Sequence, residues 1–315
     1  MSEEPQSGNW YVLVWNLKVS TDVWVAPGLT LRPLGGTLKI WDLAAAGAAG
    51  FREWATLEPF AHNIHCELET AKDAAILPGY DALNRAWLTS CLLLLRGFGR
   101  SLAIAASSYS WRSIAGHQER TKQVFNEQLA EEGVEATVHS SRRALPPLTG
   151  FLLDYHLRIL TCQSTCNEEL SDADAEWIQA HFDKFNELAS SSERFRFALE
   201  ASNDWRYCKD ARTAISRLWA GIECLFGISS ELVFRLSLMA ASILHPRGPQ
   251  RRECYHRVKK LYGVRSKAVH GDDISEERLT EGLDGSFCLL RDLLLASIIH
   301  GTAYSEEDFE HAIFS

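Results

Sequence analysis

The spacing of apolar positions divides the chain into two parts. Near the N-terminus, Trp10–Val14 and Val23–Ala26 are short, β-rich and aromatic. Gly28–Leu34, interrupted by Pro33, adds a third such segment, so strands joined by turns and an N-terminal sheet are expected. A helical period takes over at about Ile40–Leu57 and again at Asp81–Phe98, where Leu83, Trp87, Cys91, Leu94 and Leu95 share a stripe. The polar stretch 117–149, with Arg142, Arg143 and the pair Pro146–Pro147, reads as a long loop. Residues 1–170 are therefore expected to form an α+β domain.

From Ser171 onward every periodic segment is helical, which makes residues 171–315 an expected all-α bundle. Ser171-x-x-Asp174 resembles a capping box ahead of Trp177, Ile178, Phe182 and Phe185. A helix over about Asp210–Phe226 aligns Ala211, Ile215, Leu218, Trp219, Ile222 and Phe226, and Gly227 stops it. A second runs from Glu231 to about Leu244, closed by Pro246. A third starts at about Arg251 and stacks Cys254, Val258, Leu261 and Tyr262. The last, about Ser286–His300, is apolar almost all round and ends at Gly301, as expected for a buried helix or a subunit interface.

Composition narrows the function classes. The 315 residues are 46% hydrophobic, enough for one large or two ordinary domains with their own cores. Glu3 and Glu4 stand where an export signal would need positive charge, and the longest apolar run, Ala86–Leu95, is stopped by Arg96. A cytoplasmic protein with no membrane partner is expected. The eight cysteines contain no Cys-x-x-Cys pair, so reduced thiols are expected, with neither a metal nor another cofactor implied. A net charge of −9 argues against general coating of nucleic acid. It conceals a local patch, however: residues 246–270 carry eight basic side chains against the single acid Glu253.

One position in that patch breaks the pattern. Continuing the stripe Cys254, Val258, Leu261, Tyr262 by a turn lands on Arg265, and a guanidinium directed inward is costly without a partner or a wet cleft to receive it. His270 follows five residues on, about 140° around a helix and ~7.5 Å along it, directly before Gly271. Arginine is long enough to bridge that offset, so the two can supply a fixed cation and a titratable base to one cleft. The other reading leaves Arg265 facing solvent, if Gly263 breaks the helix and resets its phase, with His270 merely complementing a helix C-terminus.

The run Ala214–Phe226, then Glu231-Leu232 leading into Arg235-Leu236, then Leu261-Tyr262-Gly263-Val264-Arg265-Ser266-Lys267-Ala268-Val269-His270-Gly271, resembles the Apea-like branch of the HEPN superfamily. The similarity covers roughly residues 205–315 and keeps the order and spacing of three helices. The resemblance implies a HEPN-like helical bundle that forms a homodimer and works as a metal-independent endoribonuclease, in antiphage defence or a toxin–antitoxin role. It implies RNA as substrate, a trigger or antitoxin protein as a further partner, and Arg265 and His270 as the catalytic pair. RNA carries its own nucleophile in the 2′-hydroxyl, an imidazole titrates close to neutrality, and a guanidinium stabilises phosphoryl charge. Glu223, at the edge of its helix's apolar stripe, is the candidate partner of Arg265, unless it is simply a surface glutamate. Ser266 is a candidate supporting hydrogen-bonding group. Arg251, Arg252, Arg257, Lys259, Lys260 and Lys267 are candidate RNA-binding cations, although a solvated helix face explains them equally well. Where nucleotidylated HEPN toxins have tyrosine, two residues after the histidine, this chain has Asp272, so that form of control is not expected. The alternative function is a non-catalytic module that dimerises or binds RNA or protein.

Other signals are weaker. His62, His65 and Cys66 form a small ligand-like cluster without a second pair, and Cys162, Cys166 and His156 form another. Gly97-Phe98-Gly99 lacks the third glycine and the strand context of a dinucleotide loop.

Overall fold

The structure, a computed structural model, describes residues 8–45, 48–71, 83–117, 119–120, 152–153, 159–162, 166–228, 232–304, 307–309 and 311. The chain divides into two compact units. The first comprises Met1–Ser90, Ser101–Tyr155 and Glu168–Ala175; the second comprises Cys91–Arg100, His156–Asn167 and Glu176–Ser315. Apart from residues 117, 119 and 120, the segment read as a long loop, 117–149, lies outside the described residues.

The first unit is built on an antiparallel sheet. Its strands are β1 (Asn9–Trp15), β2 (Val23–Ala26), β3 (Leu29–Pro33), β4 (Ile64–Ala71), β5 (Leu102–Ser107) and β6 (Leu152–Leu153), in the order β2-β3-β4-β1-β5-β6. Strand β1 lies between β4 and β5, and its four consecutive residues Tyr11–Val14 are buried, as expected where both faces of a strand are covered. The expected helix over Ile40–Leu57 is realised as α1 (Ile40–Ala44) and α2 (Ala48–Leu57), and α3 spans Leu83–Leu95. A short helix, α4, covers Trp111–Ile114.

Strand β4 escaped the sequence reading because Glu67 and Glu69 interrupt its apolar pattern. Glu67 is fully buried, yet satisfied: its carboxylate accepts from Ser110 Oγ at 2.7 Å and from the Arg112 amide at 3.1 Å, with Arg32 Nε 3.5 Å away. Burial pushes this carboxyl above its ordinary value, against the lowering pull of those hydrogen bonds. Alternation along β4 puts His65 and Cys66 on opposite faces, so the suspected ligand cluster does not assemble. Cys66 is buried and donates to the Leu17 carbonyl at 3.4 Å.

The C-terminal region is mostly helical. Its helices are α5 (Asp172–Ser191), α6 (Glu193–Asp204), α7 (Ala211–Phe226), α8 (Leu232–Leu244), α9 (Pro249–His270) and α10 (Glu276–His300). Their ends follow local chemistry. Asp210 caps α7 by accepting from the Thr213 amide, and Gly227 closes it in the left-handed conformation at φ 64°. Helix α10 starts at Glu276, well before the expected Ser286, because Ser275 caps it and Glu276 and Glu277 suit its first turn. Its glycines are contact points: a Cβ at Gly282 would stand 2.5 Å from Val264 Cγ1, and one at Gly285 would stand 2.7 Å from Leu261 Cδ2. The core gathers Ile215, Leu218, Trp219 and Ile222 of α7 with Leu261 of α9 and Phe287, Leu290 and Leu294 of α10. Buried Arg206 donates to the carbonyls of Asn203 (3.3 Å) and Gly99 (3.4 Å), and its own carbonyl accepts from the Leu160 amide at 2.8 Å. Among the described residues no helix is long and apolar enough to cross a membrane.

Candidate functional site

Helix α9 runs without interruption through Gly263, so the phase of its stripe holds and Arg265 is directed at α7. There Nη2 lies 3.0 Å from Glu223 Oε1 and donates to Oε2 at 3.4 Å. The two side chains are only 23% and 22% exposed, a setting in which an ion pair matters more than at the open surface. The guanidinium carbon also stands 5.4 Å from the centre of the Tyr262 ring. Tyr262 meets Trp219 edge-on at 5.2 Å, and the Trp219 indole N–H donates to Ser286 Oγ at 2.9 Å. Arg265 is thus fixed by a relay of aromatic and polar contacts reaching across α7, α9 and α10. Its Nε is buried without a hydrogen-bond partner among the described residues, so Glu223 does not saturate the guanidinium.

His270 is the last residue of α9 and is exposed. Gly271 follows in the left-handed conformation at φ 77°, and the Asp272 amide turns back to the Lys267 carbonyl at 3.1 Å. No hydrogen bond joins His270 to Arg265 in the described residues: within one chain the guanidinium turns to Glu223 and the imidazole faces solvent. The two therefore stand at the same helix end without a hydrogen bond between them.

A second arginine occupies this helix end. Arg212, in the first turn of α7, donates through Nη1 to the Lys267 carbonyl at 3.3 Å and through Nη2 to the Asp272 carbonyl at 2.9 Å. It adds a second donor to the Lys267 carbonyl near the end of α9, ties down the Asp272 carbonyl just beyond it, and holds positive charge beside the residues that bracket His270. The sequence reading missed it. The signal was present, since a cation in the first turn of a helix opposes the helix dipole and calls for an outside partner.

The remaining candidates separate by environment. Arg252, Arg257, Lys259, Lys260 and Lys267 are exposed on α9, with Arg257 Nη2 3.8 Å from the Cys254 sulfur. Arg251 is half-buried, and its Nε donates to the His245 carbonyl at 2.8 Å, tying the start of α9 to the end of α8. Ser266 is half-buried. No protein family, curated protein or solved structure matches this chain.

Proposed function

We propose that the helical region is a HEPN-type, metal-independent endoribonuclease acting as a homodimer, with Arg265 and His270 as its catalytic pair. The observation that carries this reading is the cation at position 265, held in place by Glu223 and Tyr262 on the helix that ends in the exposed imidazole of His270. One imidazole removes the proton of a ribose 2′-hydroxyl. The 2′-oxygen attacks the adjacent phosphorus, the bond to the 5′-oxygen breaks, and that oxygen takes a proton from the imidazolium of the second copy. The products are a 2′,3′-cyclic phosphate and a 5′-hydroxyl. Arg265 stabilises the charge gathering on the phosphoryl oxygens. Because one imidazole cannot be both the neutral base and the protonated acid of a single step, the scheme draws its acid and its base from two copies of the motif facing one phosphate. Exposed Arg252, Lys259, Lys260 and Lys267 guide the RNA backbone to this helix end. The role in defence or as a toxin controlled by a trigger or antitoxin protein, with the N-terminal α+β region sensing that trigger or restraining the nuclease, rests on analogy.

The test is cleavage of RNA, but not of DNA of the same sequence, by the full chain with EDTA present. Loss of products in both Arg265→Ala and His270→Ala is the expected result; unchanged cleavage by both removes this site from consideration. A second reading, a non-catalytic module that binds RNA or protein, is favoured by the engagement of Arg265 with Glu223. Retention of RNA without products, undiminished in His270→Ala, is its signature.

A further inference from the structure

We infer that Cys162, Asp284 and Cys288 form a binding site for a zinc-class divalent cation in the helical unit. One ligand atom from each residue lies within 4.8 Å of the other two. Asp284 and Cys288 are four residues apart on α10, so their side chains leave the same face of the helix. Cys162 comes from a separate segment, which the hydrogen bond from the Leu160 amide to the Arg206 carbonyl anchors at 2.8 Å. Its thiol is buried and donates to Asp284 Oδ1, whereas Asp284 and Cys288 are half-buried, leaving the point of convergence approachable from outside.

The donor set selects the metal. Two cysteine sulfurs with one carboxylate oxygen are too soft for magnesium or calcium, which take oxygen ligands, and they suit tetrahedral zinc. Zinc–ligand bonds of roughly 2.0–2.3 Å place tetrahedral donors about 3.5–3.8 Å apart, within reach of small side-chain rotations from the observed spacing. Without a cation the Cys162 thiol directs its proton to Asp284, and free thiols are mostly protonated at neutral pH. Binding exchanges charge evenly: a divalent cation displaces one proton from each of the two thiols, and the metal–dithiolate–carboxylate centre carries one negative charge. Water completes the fourth position. The site is independent of the nuclease reading. It clamps the segment bearing Cys162 onto α10, so its effect is structural.

The experiment uses the full chain, stripped with a chelator and kept reduced, titrated with zinc chloride and in parallel with cobalt chloride. One ion per chain is expected to bind with a dissociation constant of about a micromolar or lower, and cobalt to show thiolate-to-metal charge transfer with tetrahedral ligand-field bands. Cys162→Ser combined with Cys288→Ser abolishes the charge-transfer band, and Asp284→Asn weakens binding about tenfold or more. Cys224→Ser, remote in sequence from all three, leaves binding unchanged. On the unaltered chain, which avoids any question of variant folding, zinc protects the half-buried Cys288 thiol from an aromatic disulfide reagent and a chelator restores its reaction. Absence of stoichiometric binding, an unchanged count of reactive thiols, or a double variant that binds like the parent overturns the site.

Discussion

Arg265 and Glu223 stand 3.0 Å apart between neighbouring helices, and Arg265 is thereby a packing element of the bundle as well as its proposed catalytic cation. Glu223→Ala leaves a mostly buried guanidinium with a ring face and no counter-charge. We expect a loss of about 1–3 kcal/mol in urea unfolding, reduced from the value for a fully buried pair by residual solvent screening. A double-mutant cycle with Arg265→Ala should return a coupling of about 1–2 kcal/mol. Coupling near zero would show that the pair does not hold the helices.

His270 offers the opposite test. It is exposed at the end of α9, so His270→Ala should shift stability by less than about 0.5 kcal/mol. Cleavage of RNA should fall at least about a hundredfold, the usual contribution of a positioned acid or base. Equal losses of stability and activity would instead mark His270 as structural.

Arg212 binds two carbonyls that bracket His270, at 3.3 and 2.9 Å. Arg212→Ala should cost about 1 kcal/mol and speed amide exchange in the last turn of α9, while α7 itself stays protected. If cleavage uses this helix end, it should drop along with the local protection; Arg212→Lys, which cannot bridge both carbonyls with a planar fork, should restore only part of it.

Two glycines should respond with opposite sign. A Cβ at Gly282 meets Val264 Cγ1 at 2.5 Å, so Gly282→Ala is expected to destabilise by about 1–3 kcal/mol through forced separation of α9 and α10. Gly263 has nothing within 4 Å of such a Cβ and lies inside a helix, so Gly263→Ala should stabilise by about 0.5–1 kcal/mol. Urea midpoints of the two variants, measured together, check both.

Asp210 ties the start of α7 to acid stability. The hydrogen bond from the Thr213 amide (2.9 Å), joined by the Thr213 hydroxyl (3.0 Å), holds its carboxyl below the value of 3.8 expected in the unfolded chain. The native state therefore favours the carboxylate. Its contribution is complete above that unfolded value and disappears as pH falls through the lower folded one. Asp210→Ala should cost about 1 kcal/mol near neutrality, and the difference from the parent should close in strongly acidic solution. A pH-independent difference would mean the side chain acts by packing alone.

Much of the helical region was legible in the linear chain. Local rules placed the stops at Gly227, Gly271 and Gly301, and a 3.6-residue stripe identified the apolar face of α7. The stripe of α9 isolated Arg265 as a charge among core positions, and that of α7 left Glu223 at an edge from which it could meet it. Strand β4 stayed hidden because a buried carboxylate reads as a surface residue until Ser110 and the Arg112 amide close on it. The first half of α10 stayed hidden because its glycines serve contacts with Val264 and Leu261 rather than breaks.

Periodicity, caps and the placement of charge are properties of neighbouring residues, and to that extent the amino-acid order determined the strands at the N-terminus, the later helices and the anomaly at position 265. Which distant groups meet was decided only by packing. Arg265 turned to Glu223 rather than to His270, Arg212 closed on the helix end that carries the imidazole, and Cys162 came to lie beside Asp284 and Cys288. Each of these contacts joins residues far apart along the chain, and burial of the shared core brings their backbones together before any side-chain chemistry can act.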